Sequence, residues 1–178
     1  MTVICAMYDE PAGRFVLGSN SRSLVGRTVM AADRSKWFTD GDWAYGLTGG
    51  GIAGDAIVAR RAKFPGDAPD IFAVIAFFRR SLAKLELGET EEGARDYDLS
   101  ALVAHRSGRL WDVDGNLSVE EINRGAVWAN GSGYRFALGA AHVLAAGGAD
   151  ARGIVEGAVE TAIALDSSCP GTPIIETF

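Results

Sequence analysis

The chain has 178 residues, 48% of them hydrophobic and 22% charged, enough to bury a large core in one domain spanning 1–178. Its 23 glycines exceed the usual share, but the composition excludes a disordered, collagenous or coiled-coil chain. Seventeen Lys and Arg against 23 Asp and Glu leave a net charge of -6, a poor match to a nucleic-acid footprint, so no nucleic-acid partner is expected.

The first fifty residues read as antiparallel β-structure. Short strand-like runs cover Val3 to Tyr8, Phe15 to Gly18, Lys36 to Thr39 and Trp43 to Thr48, separated by turn residues such as those from Asp9 to Gly13. Helical character follows over 52–64 and 69–87, split at Phe64-Pro65-Gly66; in the second, Ile71, Val74, Ile75, Phe78, Leu82 and Leu85 recur at spacings of three and four. The acidic stretch from Gly88 to Asp96 reads as a solvated loop. Leu99 to His105 and Arg109 to Val113 then flank Arg106-Ser107-Gly108 as a hairpin. Asp114-Gly115-Asn116 makes another turn, and Ala126 to Ala129 a short strand. Tyr134 to Ala146 and Ala151 to Leu165 form helices broken at Gly147-Gly148, and Thr172 to Phe178 closes the chain as a strand. Strands followed by helices, twice, indicate an α+β fold; a four-layer α-β-β-α sandwich of two antiparallel sheets satisfies this order without being required by it.

Cys5 and Cys169 make no disulfide framework, and no Cys/His cluster has zinc spacing. No run approaches a membrane span and no basic-apolar leader opens the chain. A soluble cytoplasmic protein with no membrane partner is expected. His105, in the hairpin, and His142, in an apolar helix, gather no metal ligands.

Thr2 follows the initiator, and removal of Met1 places a hydroxyl and a free α-amine on one residue. An α-amine, with a reference pKa near 8, can take the hydroxyl proton at neutral pH without the tuning a lysine needs. A retained Met1 would tie that amine into a peptide bond. Gly49-Gly50-Gly51 stands where an apolar strand gives way to a helix, so backbone N–H groups there can face a developing oxyanion or simply make a tight turn. Ser132, just ahead of the helix at Tyr134, can cap it or orient Thr2. Asp166 ends a helix, where the dipole disfavours a negative charge and a specific partner is called for.

Gly18-Ser19-Asn20-Ser21-Arg22-Ser23, Thr28-Val29-Met30, Lys36, Gly46-Leu47-Thr48-Gly49-Gly50, Gly131-Ser132-Gly133 and Leu165 to Gly171 resemble, in order and spacing, the proteasome β-subunit and the proteolytic subunit of the bacterial HslUV protease. These are N-terminal nucleophile (Ntn) hydrolases with an α-β-β-α sandwich. The resemblance covers nearly the whole chain, whose length matches the shorter bacterial type. It implies Thr2 as the nucleophile, Lys36 as the active-site lysine, Gly49 as the oxyanion-hole glycine, and Ser132 and Asp166 as the residues that orient the terminal amine. Lys36 near Thr2 would disfavour a protonated amine. Ser23, Arg34 and Leu47 would line the adjoining substrate pocket. Backbone carbonyls of Ile163, Asp166 and Cys169 would hold one cation, with no cofactor for catalysis.

By the same resemblance, the chain is a threonine endopeptidase of stacked homo-oligomeric rings that cleaves unfolded polypeptide fed by a separate AAA+ ATPase. One position departs from the pattern: Asn20 stands where the family has the aspartate that pairs with the lysine. Lys36 should then titrate lower or find another carboxylate such as Asp33 or Asp166. The competing expectation is a shell or assembly protein that keeps the fold without the chemistry.

Overall fold

In the computed structural model, which describes every residue except Met1, 26–27, 31–32, 87 and 90–94, two antiparallel sheets lie face to face between two pairs of helices. The N-terminal hairpin of β1 (Val3–Asp9) and β2 (Arg14–Asn20) forms the centre of the first sheet. It is flanked by β12 (Trp128–Gly131) and β13 (Pro173–Thr177), in the order β12-β1-β2-β13. A small ribbon of β3 (Leu24–Val25) and β4 (Thr28–Val29) follows β2. The second sheet runs β11-β10-β9-β6-β5, built from β5 (Trp37–Asp40), β6 (Trp43–Gly49), β9 (Leu99–His105), β10 (Arg109–Val113) and β11 (Val119–Ile122).

Side-chain alternation assigns the layers. On β1, Val3 and Cys5 point to one side and Ile4, Ala6 and Tyr8 to the other, as the period of two requires. The first set packs under α3 (Tyr134–Ala146) and α4 (Ala151–Leu165). The second meets Phe15, Leu17, Trp37, Ala44, Leu102 and Leu110 between the sheets. On β6, Trp43 and Tyr45 face outward under α1 (Gly51–Val58) and α2 (Ile71–Leu82), against Ile57, Val74 and Phe78. Each fully buried large side chain contributes about 1.5–3 kcal/mol.

Local chemistry explains the helices. Asp70 and Asp150 cap α2 and α4, accepting from Ala73 N–H at 3.1 Å and Gly153 N–H at 2.7 Å. On α4, Ile154, Val155, Ala158, Val159 and Ala162 form the buried stripe. Gly18 lets this helix approach β2, since a Cβ there would lie 2.6 Å from Val155 Cγ1. The sheets are also joined by polar contacts: Asp112 of β10 accepts from Trp128 Nε1 at 2.9 Å and Asn130 Nδ2 at 2.8 Å, both on β12. Among the described residues no helix is long and apolar enough to cross a membrane.

Several expected boundaries move. The helix expected over 52–64 ends at Val58, and Arg61–Lys63 is a separate 3-10 turn, because the chain must turn before Pro65. The helix expected over 69–87 is Ile71–Leu82; residue 87 lies outside the described residues. Within the expected acidic loop, β7 (Gly88–Glu89) pairs with β8 (Arg95–Asp96), and the stretch between them lies outside the described residues. The strand expected at Ala126 to Ala129 is shifted to Trp128–Gly131. β11 and the β3–β4 ribbon are additional.

Candidate active site

Thr2 immediately precedes β1 and is 8% exposed. Its neighbour Val3 donates its N–H to Asn20 Oδ1 at 3.0 Å. Its carbonyl oxygen is approached by Ser132 Oγ at 3.4 Å and Gly133 N–H at 3.5 Å. The close fit depends on Gly131, where φ is +93° and a Cβ would run into the Thr2 carbonyl. Met1, whose removal would free the amine, lies outside the described residues.

Lys36, just before β5, is also 8% exposed. Its Nζ donates to the Arg22 carbonyl at 3.0 Å and to Ser23 Oγ at 2.9 Å. Neither of the carboxylates expected to replace the missing aspartate serves it. Asp33 pairs with Arg22 at 2.8 Å and accepts from Ser21 Oγ at 2.7 Å; Asp166 accepts from Ser168 N–H at 2.8 Å and Cys169 Sγ at 3.4 Å. Burial, and then the charge of Arg34, bring Lys36 down to about 8, because a desolvated ammonium without a counter-charge releases its proton readily. Asn20 does not bond to Lys36 directly; its Nδ2 donates to the same Arg22 carbonyl at 2.7 Å and to Pro170 O at 2.9 Å.

Behind Thr2, Ser132, Cys169 and Asp166 form one polar group. Ser132 Oγ lies 3.5 Å from Cys169 Sγ. Ser132 does not cap α3, whose N-cap is Gly133 with no side-chain bond. Burial pushes the Cys169 thiol up to about 11, so it stays protonated and acts as a donor. Partial burial works to raise Asp166, but hydrogen bonds from Ser168 N–H, Ser132 and Cys169 outweigh it and hold the carboxyl below its ordinary range. The charge at the C-cap of α4 thus has its partners.

The third component is the corner between β6 and α1. Gly49 has φ +100°, and a Cβ on it would lie 2.6 Å from the Asp98 carbonyl oxygen. Gly50 N–H donates to that carbonyl at 2.7 Å, so of the three glycine amides expected to face an oxyanion, this one is committed elsewhere.

A cleft of about 200 Å³ opens beside Thr2, Lys36 and the glycine corner. Thr2, Lys36 and Gly49 line it together with Ser23, Arg34 and Leu47; Asn20, Ser132, Asp166 and Cys169 are not among its lining residues. Sequence reasoning reached Gly51 but missed the rest of its helix face: Gly54, Asp55 and Val58 of α1 also line the cleft. With Gly51, their i, i+3, i+4, i+7 spacing is one helix face and was readable as such.

The carbonyls of Ile163, Asp166 and Cys169 are the expected cation ligands. Asp166 C=O already accepts Cys169 N–H at 2.9 Å, and three carbonyls fall short of the roughly six to eight oxygens calcium takes. Among the described residues no cluster of three His, Cys, Asp or Glu side chains could complete a metal site.

The architecture is shared with solved structures. BPH of Thiobacillus denitrificans in complex with epoxomicin superposes with a TM-score of 0.80 at 18% identity, covering 99% of this chain and 98% of that one. A second structure of BPH from the same organism superposes at a TM-score of 0.81 and 18% identity over 99% and 97% of the two chains. Eukaryotic HslV from Trypanosoma brucei matches at a TM-score of 0.74 and 19% identity, over 99% of this chain and 98% of that one. The fold is that of HslV. No family model and no curated protein matches the sequence. In the HslV fold adopted here, Thr2, Lys36 and Gly49 converge on one cleft, although they lie on three separate segments.

Proposed function

We propose that the chain is the proteolytic subunit of a self-compartmentalising, proteasome-like assembly, a threonine-type peptidase acting on unfolded polypeptide through Thr2. The observation that carries this reading is the single cleft lined by Thr2, Lys36 and Gly49, with the Ser132–Cys169–Asp166 group behind the nucleophile.

With Met1 removed, the α-amine of Thr2 takes the proton of Oγ1 as this oxygen attacks the scissile carbonyl. Lys36 beside the cleft disfavours a protonated amine beforehand. Gly49 N–H faces the oxyanion, worth about 3 kcal/mol at such a position. Collapse breaks the C–N bond, the amine returns its proton to the departing peptide amine, and an ester to Thr2 remains. Water, deprotonated by the same amine, then releases the acid and restores the hydroxyl. Ser132 and Asp166 orient the amine, and Ser23, Arg34 and Leu47 contact the substrate side chain.

The HslV fold supports further parts of the proposal: stacked rings of identical subunits in the cytoplasm, fed by an AAA+ ATPase. Any cation at Ile163, Asp166 and Cys169 would need water or a neighbouring subunit, and no step passes through it.

Reaction of the mature chain with an epoxyketone or peptide vinyl sulfone, with the modified residue mapped and the intact mass read for Met1, tests the assignment. Modification at Thr2 supports it. A chain that retains Met1 and is not modified favours a non-catalytic shell protein, the reading that Asn20 in place of the family aspartate also favours.

A further inference from the structure

Asn20 ends β2 with no exposed surface, and its three hydrogen bonds reach three segments. Oδ1 accepts from Val3 N–H, beside Thr2. Nδ2 donates to the carbonyls of Arg22 and Pro170. These neighbours fix which end of the amide is which, because one backbone N–H needs an acceptor and two carbonyls need donors. A carboxylate of the same shape would present oxygen to two oxygens.

The Arg22 carbonyl is the acceptor of Lys36 Nζ as well. The two side-chain nitrogens, joined through one atom, therefore lie within about 6 Å of each other. Pro170 follows the turn that carries Asp166 and Cys169. Other groups near Lys36 are Ser23 Oγ, the charge of Arg34 and the Cys169 thiol. Asp33 is tied to Arg22 and Ser21, Asp166 to Ser168 and Cys169, and Asp55 stands on the α1 wall of the cleft.

The geometry points to Asn20 as a positioning residue: its neutral amide ties the nucleophile's strand, the acceptor of Lys36 and the Asp166 turn together, leaving Lys36, among the described residues, held by neutral acceptors alone. This inference rests on the peptidase reading and deepens it. Position 20 sets the protonation of Lys36, and through it the pH range of the site, without touching substrate. An aspartate here does not repair the site; it places a charge among acceptors, draws the ammonium towards itself and keeps it protonated.

Two readouts on the full chain separate this from the peptidase reading. Trace acetylation with acetic anhydride from about pH 6 to 11, read at the Lys36 peptide by mass spectrometry, gives the lysine midpoint without requiring activity. Epoxyketone labelling reports on Thr2. Wild type should titrate near pH 8 at Lys36. Asn20→Asp should titrate about one unit higher or more, and its loss of the two donations to the Arg22 and Pro170 carbonyls should slow Thr2 labelling about tenfold. Asn20→Leu should slow labelling comparably while leaving the midpoint within about half a unit. A wild-type midpoint near the ordinary lysine value of about 10.4 overturns the inference, whether or not Asn20→Asp folds. Unchanged midpoint and labelling in Asn20→Asp overturn it too. A wild type that never labels, yet shows the low midpoint and its rise in Asn20→Asp, overturns the peptidase reading and supports the positioning role of Asn20.

Discussion

Gly50 N–H and Asp98 C=O are joined at 2.7 Å, and this bond fixes the corner where β6 gives way to α1. The preceding Gly49 turns there with a positive φ and almost touches the Asp98–Leu99 backbone. Gly49→Ala should therefore destabilise the fold by about 1–3 kcal/mol, through αL strain and backbone collision. Urea denaturation measures the loss. Peptide hydrolysis should fall more steeply than stability, because the same residue borders Thr2 in the cleft.

Thr2→Ala should lower peptide hydrolysis by about three orders of magnitude or more. Stability should change little, since the bonds at Thr2 are made by its main-chain carbonyl. Turnover and thermal melting of the same preparation check both halves; full turnover in the mutant would remove Thr2 as nucleophile.

Lys36 links stability to pH. Its folded value is about 8 against an ordinary 10.5. Between these values the unfolded chain holds a proton that the folded chain has shed, so stability contributed at this position rises with pH across the window. Below pH 8 both states are charged, and the fold bears the cost of a desolvated ammonium. Lys36→Met should then be more stable than wild type at pH 7, by about 1–2 kcal/mol, with the advantage shrinking towards pH 10.5. Hydrolysis should fall about a hundredfold. Urea melts at the two pH values, with turnover measured alongside, give both numbers.

Assembly is the fourth expectation. A compartmentalising protease needs an enclosed chamber, and closed symmetry is the usual solution for identical subunits. Light scattering at micromolar concentration should give a ring or a stacked ring. A clean monomer would argue against both the protease and the shell protein.

The long periodic segments were legible before the structure. Tyr134 to Ala146 and Ala151 to Leu165 are helices with the expected ends, and the β9–β10 hairpin closes on Gly108 with φ +88° as expected. β11 was not legible, because Val119, Glu120 and Glu121 form a largely polar edge with only Ile122 buried. Only the resemblance, not their spacing in the chain, brought Thr2, Lys36 and Gly49 together, and the three do line one cleft. The acceptors of Lys36 were not legible: the Arg22 carbonyl is backbone, and backbone acceptors leave no mark on side-chain order. Asp98 escaped notice for the same reason, since it acts on Gly50 through its main chain.

Asp112 belongs to one sheet and both its donors to the other, and Asn130, one of those donors, is adjacent to the Gly131 that abuts Thr2. Drawing the sheets apart at this end would strip a half-buried carboxylate of its partners, at about 1–3 kcal/mol. At the other end the sheets are held by buried apolar packing, Tyr8 and Phe15 of one meeting Leu110 and Ile122 of the other, to which exposed pairs such as Arg124–Glu10 add about 1 kcal/mol or less. Sequence drift in those exposed pairs can therefore leave the cleft its dimensions, whereas drift at Asp112 or its two donors would loosen the strand end that backs Thr2.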